Sequence, residues 1–419
     1  MNQSYTREKS SYTGVLIVLA ALFFMWGLIT VLNFMLVDQL KVVFAMTPAQ
    51  ALLVNFIFFA TYFVAAIPAG KIINRYGFKN GIISGLVVAG FGFMLFYPAS
   101  EAVSYDLFIF SLFLVAAGIT MLQVGANAYV VMLGKKERGA SRLTLVQAFN
   151  SLGAFLAPLF ASGLFMSIAG FTEASRANMS THELIDATIK YVQLPYLGLG
   201  AILFLLALFV GFSKLPKLVT ETAEPLPKSE NGAKKFIIQF PHVILAGLAI
   251  FAYVGAEVTI GRYLAGVAST GMIAGSVVAL YWGLALLGRF GGAALLQKIS
   301  PRKLVGINAL IAAFLVLVFI FIPKGDVIAF YILAAVGLFN SIQFPSIFAL
   351  GIDGLGKFTE EGSSVLIMSV VGGAIIPMVW GDLYDASLTG AFVLIILCYI
   401  YISYFGFKGS RYEKRTNFY

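Results

Sequence analysis

The hydrophobic pattern of the chain is dominated by stretches without a single Asp, Glu, Lys or Arg. They run 10–37, 42–70, 80–100, 107–134, 143–172, 191–213, 236–256, 263–288, 304–323, 327–352, 362–381 and 386–407, each at least 20 residues long. Roughly 20 residues of α-helix are needed to cross about 30 Å of hydrocarbon. Lipid offers a backbone no hydrogen bonds, so every N–H and C=O must be satisfied within the segment, which selects helices. The pattern predicts an all-α membrane protein of twelve transmembrane spans. The first run is too long for the apolar core of a signal peptide and lacks a cleavage site, so it is expected to remain as a span.

Polar punctuation divides the twelve spans into two sets of six. Residues 214–235, with Pro216, Pro225, Pro227, Glu221, Glu224 and Glu230, read as a linker between an N-terminal half (1–213) and a C-terminal half with its tail (236–419). The halves echo one another. Gly153 and Pro158 in span 5 recur at the same spacing as Gly372 and Pro377 in span 11. Gln123 and Asn127 stand at i, i+4 in span 4, Asn340 and Gln343 at i, i+3 in span 10. Each amide pair is expected to share a helix face. The glycine–proline pairs are expected to mark bends, because proline removes an intrahelical hydrogen bond. A duplicated six-span unit with a central linker implies a transporter-like fold whose site lies between the halves.

Charge adds an orientation. If the N-terminus is cytoplasmic, the inner loops and tails hold 22 Lys and Arg and the outer loops five, with Arg289, near the inner end of span 8, counted in neither set. The positive-inside rule then makes both termini cytoplasmic. The net charge of +9 is thus a topology signal spread over short loops, and no nucleic-acid partner is expected. Composition agrees: 11% of residues are charged against about 25% in soluble domains. The single cysteine, Cys398, excludes a disulfide framework, and His182 and His242 have no partner at ligand spacing, so no metal site is expected. No phosphate-binding glycine motif and no nucleophile–base cluster is present, which argues against ATP-driven transport and against an enzyme.

Against this background Glu257 stands out, a carboxylate on a helix pattern that runs from Phe251 to Arg262. An unpaired ionised carboxylate is too costly in hydrocarbon, so it takes up a proton or finds a cation. Arg262, five residues on, lies about 140° around the helix, and Gly261 at i+4 offers nothing. The partner must come from another helix, an ion, a substrate or a proton. An ionisable residue inside a span is by default a functional-site hypothesis; the alternative is a structural glutamic acid bonded to a neighbouring helix. Tyr253, four residues earlier, shares its face. If Pro241 lies near the inner surface, sixteen residues put Glu257 about 24 Å up a roughly 30 Å core. A coupled sodium ion would need further oxygens there, from Thr259 or the carbonyls beside Gly255 and Gly261.

The apolar spans also carry amides: Asn33, Gln123, Asn127, Gln147, Asn150, Asn340 and Gln343. Amides both donate and accept, as sugar hydroxyls do, and Trp26, Trp282 and Trp380 offer faces for a sugar ring. The competing readings are helix–helix glue for the amides and interfacial anchoring for the tryptophans.

Two levels of family resemblance follow. Gly70-Lys71-Ile72-Ile73-Asn74-Arg75-Tyr76-Gly77-Phe78-Lys79 resembles the loop signature of the major facilitator superfamily, with Asn74 where that signature has Asp. Its mechanical sense is a tight turn at Gly77, with the cations of Arg75 and Lys79 reaching neighbouring helix ends. Gln297 to Arg302 is a degraded copy in the second half. Phe23-Phe24-Met25-Trp26-Gly27, Met121 to Val130, Gln147 to Gly153, Tyr253 to Val258 and Val371 to Pro377 look like the fucose/proton symporter family, in particular its glucose/galactose branch. The resemblance implies the major facilitator fold. It further implies import of a monosaccharide by alternating access across a bacterial inner membrane, coupled to H⁺ or Na⁺, by a monomer whose partners are a sugar and the bilayer.

This chain departs from the family where coupling is concerned. Phe34 stands where the family usually has Asp after Leu32-Asn33, and Gln123 stands where fucose permeases carry Glu. Asp38 lies one turn beyond Phe34, and Asn127-Ala128 replaces an Asn-Pro. Glu257 is left as the candidate coupling acid. The alternatives are a weakly coupled or uncoupled sugar carrier, a facilitator or exporter of another small solute on the same fold, or a non-transporting receptor. An anion carrier would want a cation deep in the cavity, where only Arg262 and Arg289, both expected near helix ends, come into question. Glucose, galactose and an N-acetylhexosamine all suit an amide-rich pocket.

Overall fold

The structure, a computed structural model, describes residues 3–169, 180–216, 237–269, 271, 275–323 and 326–411. Twelve helical spans are found among them, in step with the charge-free runs. The first nine are single helices: α1 (Gln3–Val43), α2 (Pro48–Tyr76), α3 (Phe78–Glu101), α4 (Tyr105–Met132), α5 (Gly139–Ala169), α6 (Thr181–Phe212), α7 (Pro241–Ser269), α8 (Gly275–Leu295) and α9 (Pro301–Phe321). The tenth span is broken into α10 (Val327–Asn340) and α11 (Gln343–Gly351). The eleventh is broken into α12 (Thr359–Met368) and α13 (Gly372–Ala386), and α14 (Leu388–Tyr404) completes the bundle. Of the linker expected at 214–235, only 214–216 fall among the described residues.

Local chemistry sets several of these boundaries. Thr47 and Gln50 form a reciprocal capping box ahead of Pro48, which opens α2 without losing a useful N–H. Gly77, at φ 82°, is the whole turn between α2 and α3, a backbone angle that only glycine adopts without cost. Lys79 donates to the carbonyls of Gly211 and Ser213 at the end of α6, at 2.7 and 2.8 Å. It thereby satisfies acceptors that the helix itself leaves open. Arg75, in contrast, lies over the ring of its neighbour Tyr76, 5.4 Å from the centroid. Arg142 on α5 caps α4 in the same manner as Lys79 caps α6, donating to Val131 and Val130 carbonyls at 2.7 and 3.2 Å.

Gly70 is not part of the turn. It lies inside α2, and a Cβ there would run into Ser364 Oγ and the Glu360 carbonyl of α12. The sequence frame is corrected here because charge-free runs stop at Lys71, whereas the helix continues to Tyr76 at the membrane edge. Gly70 is instead a close-approach position between the halves. Nearby, Ser363 Oγ donates to the Val124 carbonyl of α4 at 2.7 Å, and Ser141 Oγ of α5 to the Ala293 carbonyl of α8 at 2.6 Å. Lys136 meets Asp353 at 2.6 Å between the loops after α4 and α11. All these contacts lie at the end of the bundle that carries the basic loops, so the halves are closed against each other there. Small residues bring the backbones together. The Lys136–Asp353 pair, 70% and 32% exposed, adds at most about 1 kcal/mol.

The expected bends are only partly matched. α5 runs unbroken through Gly153 and Pro158. Span 11 breaks at a 3₁₀ turn, Ser369–Val371, immediately before Gly372, whereas the bond that Pro377 deletes would have fallen on the Gly373 carbonyl inside α13. What the two glycines do share is a crossing. A Cβ on Gly153 would strike the Phe24 carbonyl of α1, and one on Gly372 the Phe251 carbonyl of α7. Each half therefore packs its first helix against its fifth through a glycine.

This packing predicts that Gly153→Ala and Gly372→Ala each destabilise the protein by about 1–3 kcal/mol through forced displacement of backbone. Gly283→Ala, where a Cβ meets nothing within 4 Å, should be neutral or stabilise by up to about 1 kcal/mol. Unfolding in detergent measures all three, and equal midpoints for Gly153→Ala and Gly283→Ala would refute the crossing.

Candidate functional site

Glu257 finds its cation on α8. Arg289 Nη2 stands 4.0 Å from Glu257 Oε1, and each side chain is only 14% exposed. Tyr253 donates its hydroxyl to the same carboxylate oxygen at 2.6 Å, the one-turn neighbour expected from the sequence. Tyr281 of α8 donates to the Glu257 backbone carbonyl at 3.2 Å. Glu257 is the seventeenth residue of a 29-residue helix, about 24 Å from one end and 18 Å from the other. Glu257 therefore sits in the middle turns of its helix, far from either end.

Arg289, expected near a helix end, is the residue that sequence reasoning missed. Its Nε donates to the Ser341 carbonyl at 3.2 Å. That carbonyl is free because its helical donor would be the N–H of Pro345, which does not exist. The same proline accounts for the interruption of span 10 at Ser341 and Ile342. Arg289 Nη1 donates to Ser151 Oγ of α5 and lies 3.5 Å from the Gln147 carbonyl. The guanidinium thus touches both halves at once. The spacing of Pro345 four residues after Ser341 was the available signal, and only the fold shows that Arg289 faces it.

The amides separate into two groups. Gln147 donates to Asn127 Oδ1 at 3.2 Å, and Gln123 to the Tyr62 hydroxyl at 2.9 Å. These α4 and α5 side chains stay beside the surface that α5 presents to Arg289. Asn127 keeps a buried Nδ2 without a partner, a donor available to a ligand hydroxyl. Three of the others are committed to packing. Asn150 donates to the Phe23 carbonyl of α1 at 3.0 Å. Asn340 donates to the Tyr281 hydroxyl at 3.1 Å and accepts from Tyr399 at 2.9 Å. Gln343 donates to the Val305 carbonyl of α9 at 3.3 Å. Asn340 and Gln343 thus bond to different neighbours, Asn340 to tyrosines of α8 and α14 and Gln343 to α9. Asn33 is fully buried, and neither of its amide atoms has a partner.

Other expectations shift as well. Trp26 is buried against Phe23 at 5.2 Å, and one face of Trp380 is covered by Tyr384 at 4.8 Å. Trp282 is 43% exposed. Thr259, considered for sodium, turns its hydroxyl back to the Gly255 carbonyl at 2.7 Å. Among the described residues no cluster of three or more His, Cys, Asp or Glu is placed to hold a metal ion. Phe34 packs edge-on against Phe58 at 5.0 Å. The side chain of Asp38 lies outside the described residues.

The commitment of Asn340 is testable. Asn340→Ala leaves two buried tyrosine hydroxyls short of partners and should cost about 1–3 kcal/mol each way a partner is lost. Gln147→Ala should cost less and act chiefly on ligand affinity. A thermal unfolding midpoint for Asn340→Ala equal to that of the parent would show that the tyrosines find other partners.

Comparison with known proteins places this geometry. The Major Facilitator Superfamily profile matches residues 15–377. The "Glucose/galactose transporter" of Brucella abortus biovar 1 (strain 9-941) is 41% identical over 414 residues, covering 97% of this chain and 96% of that protein. The "L-fucose-proton symporter" of Escherichia coli (strain K12) is 34% identical, covering 98% and 96%. Among solved structures, the major facilitator transporter FucP in the outward conformation superposes with a TM-score of 0.83 at 34% identity, covering 93% of this chain and 97% of its own. The twelve spans, the two halves closed at their basic end and the match along nearly the whole length together establish that this chain belongs to the Major Facilitator Superfamily.

Proposed function

We propose that this multi-pass membrane protein is a secondary active transporter, not an enzyme, that imports a hexose together with a proton. Its basic face and both termini are cytoplasmic, in a bacterial inner membrane, and it works as a monomer. The observation that carries the reading is the carboxylate of Glu257 in the middle of its span, bonded to Tyr253 and set against Arg289 where the two halves meet. The resemblance to proteins named for glucose/galactose transport and for fucose–proton symport supports it. The halves are closed at the basic end, and a similar solved structure, FucP, is in an outward conformation. With the basic end taken as cytoplasmic, this arrangement is read as the state that receives sugar from outside.

In that state a sugar would meet Gln147, Asn127 and Gln123 from the N-terminal half and Tyr253, Glu257 and Arg289 from the C-terminal half. Neutral hydroxyls match this mixture of donors and acceptors. A buried ion pair with strict geometry also rejects substrates that leave either charge unpaired. The proton is favoured over sodium because the hydroxyl of Thr259, considered as a further sodium ligand, is bonded within its own helix. A second reading, an uncoupled sugar carrier, rests on Phe34, which fills the usual acidic position with an aromatic pair.

Glu257→Gln retains shape and hydrogen-bonding reach but cannot titrate. It should abolish proton-driven accumulation of glucose or galactose in proteoliposomes while counterflow exchange of the same sugar continues. Parent protein and Phe34→Asp serve as comparisons. Accumulation at full strength in Glu257→Gln would refute coupling at this residue, and a parent that exchanges but never accumulates would establish the uncoupled carrier.

A further inference from the structure

We propose that Arg289 is the positioning residue that ties the protonation state of Glu257 to the contact between the halves. Ionised Glu257 draws Arg289 away from α5, and protonated Glu257 leaves it bound there. The inference rests on the transport reading above and names how the acid would drive the conformational change.

The geometry supplies the argument. Arg289 has three attachments of different kinds. The Ser341 carbonyl is on its own half and is freed permanently by Pro345. Ser151 and Gln147 are on the other half and are reached only when α5 lies against α8. Glu257 is at 4.0 Å, beyond hydrogen-bonding distance, while its Oε1 accepts from Tyr253. The side chain is 14% exposed, so its charge cannot be left without partners. When α5 and α8 part at the basic end, Arg289 loses Ser151 and Gln147. A nearby carboxylate then becomes its best replacement. An ionised Glu257 therefore stabilises the parted, inward-facing arrangement. A protonated Glu257 gives no such compensation, which favours the closed basic end seen here. The sense suits import: a proton taken up from outside holds the outward-facing state, and its release inside accompanies pairing of Glu257 with Arg289.

Few other charges compete. The titratable groups facing Glu257 are Tyr253 on its own helix, Arg289 and Tyr281 from α8, and Tyr399 from α14. The packed segments Gln343–Gly351 of α11, Met368–Ile376 leading into α13, and Gln147–Ser151 of α5 contain no ionisable residue. In α10 the sole ionisable residue is Tyr331, 45% exposed.

The lone cysteine makes a direct test practical. Ala102 and Ala386, both exposed and on opposite halves at the end away from the basic loops, are changed to Cys in a Cys398→Ala background and spin-labelled. Distances are measured by pulsed electron resonance across a pH series without sugar. The parent should convert from a long to a short outer separation as pH rises. For one linked proton, the ratio of the two populations changes by at most about tenfold per pH unit. Glu257→Gln should hold the long separation at every pH. Arg289→Gln should lose the pH dependence although Glu257 can still titrate, a readout that a purely structural arginine would not move. Ser151→Ala should shift the populations toward the short separation at every pH while keeping a slope. An Arg289→Gln protein with the parental slope would overturn the proposal. If Arg289→Gln does not survive purification, unchanged populations in Ser151→Ala would overturn it instead. Sugar counterflow is measured in parallel. Parental pH slopes that need both residues in a protein that moves no hexose would refute the transport reading alone.

Discussion

A charge pair near the centre of an apolar bundle has to be satisfied from every side, and much of the architecture around Glu257 and Arg289 answers to that constraint. Both side chains are only 14% exposed, so most of their hydrogen-bonding directions must end on protein. Tyr253 covers one carboxylate oxygen, and Tyr281 secures the backbone carbonyl of the same residue. Tyr281 is fixed by Asn340, which is fixed by Tyr399. On the other side, a proline-made gap in span 10 gives Arg289 an acceptor that a regular helix would have consumed. The interruption of that span is therefore part of the ion site, in keeping with membrane transporters that use broken helices where charge must be held.

The fold was legible because hydrocarbon imposes a length rule on the sequence. Twelve charge-free runs became twelve spans, and Gly77 marked its turn by being the one residue that suits φ 82°. The site was legible in composition but not in pairing. Glu257 and Tyr253 could be placed on one face because four residues of helix fix their relation. Arg289 could not be matched to Glu257, since 32 residues and a helix reversal separate them. Counting charge-free runs also placed Arg289 at a span's end, whereas α8 continues six residues beyond it to Leu295. Amides posed the opposite difficulty: sequence shows that Asn340 is polar and in a span but not that two tyrosines already occupy it.

The two halves share a plan but carry different chemistry. Both cross their first and fifth helices at a glycine. The N-terminal half then joins Gln147 to Asn127 and Gln123 to Tyr62, while Phe34 packs against Phe58. The C-terminal half holds the ion pair. An asymmetric arrangement has a mechanical consequence. If one half rocks against the other, Tyr253, Tyr281, Asn340 and Tyr399 all move with Glu257 and keep its surroundings unchanged. Ser151 and Gln147 move away, so Arg289 alone among these groups exchanges partners. Charge that stays within one rigid half costs little when the halves separate, and the single guanidinium that spans the boundary is where protonation and movement can be exchanged.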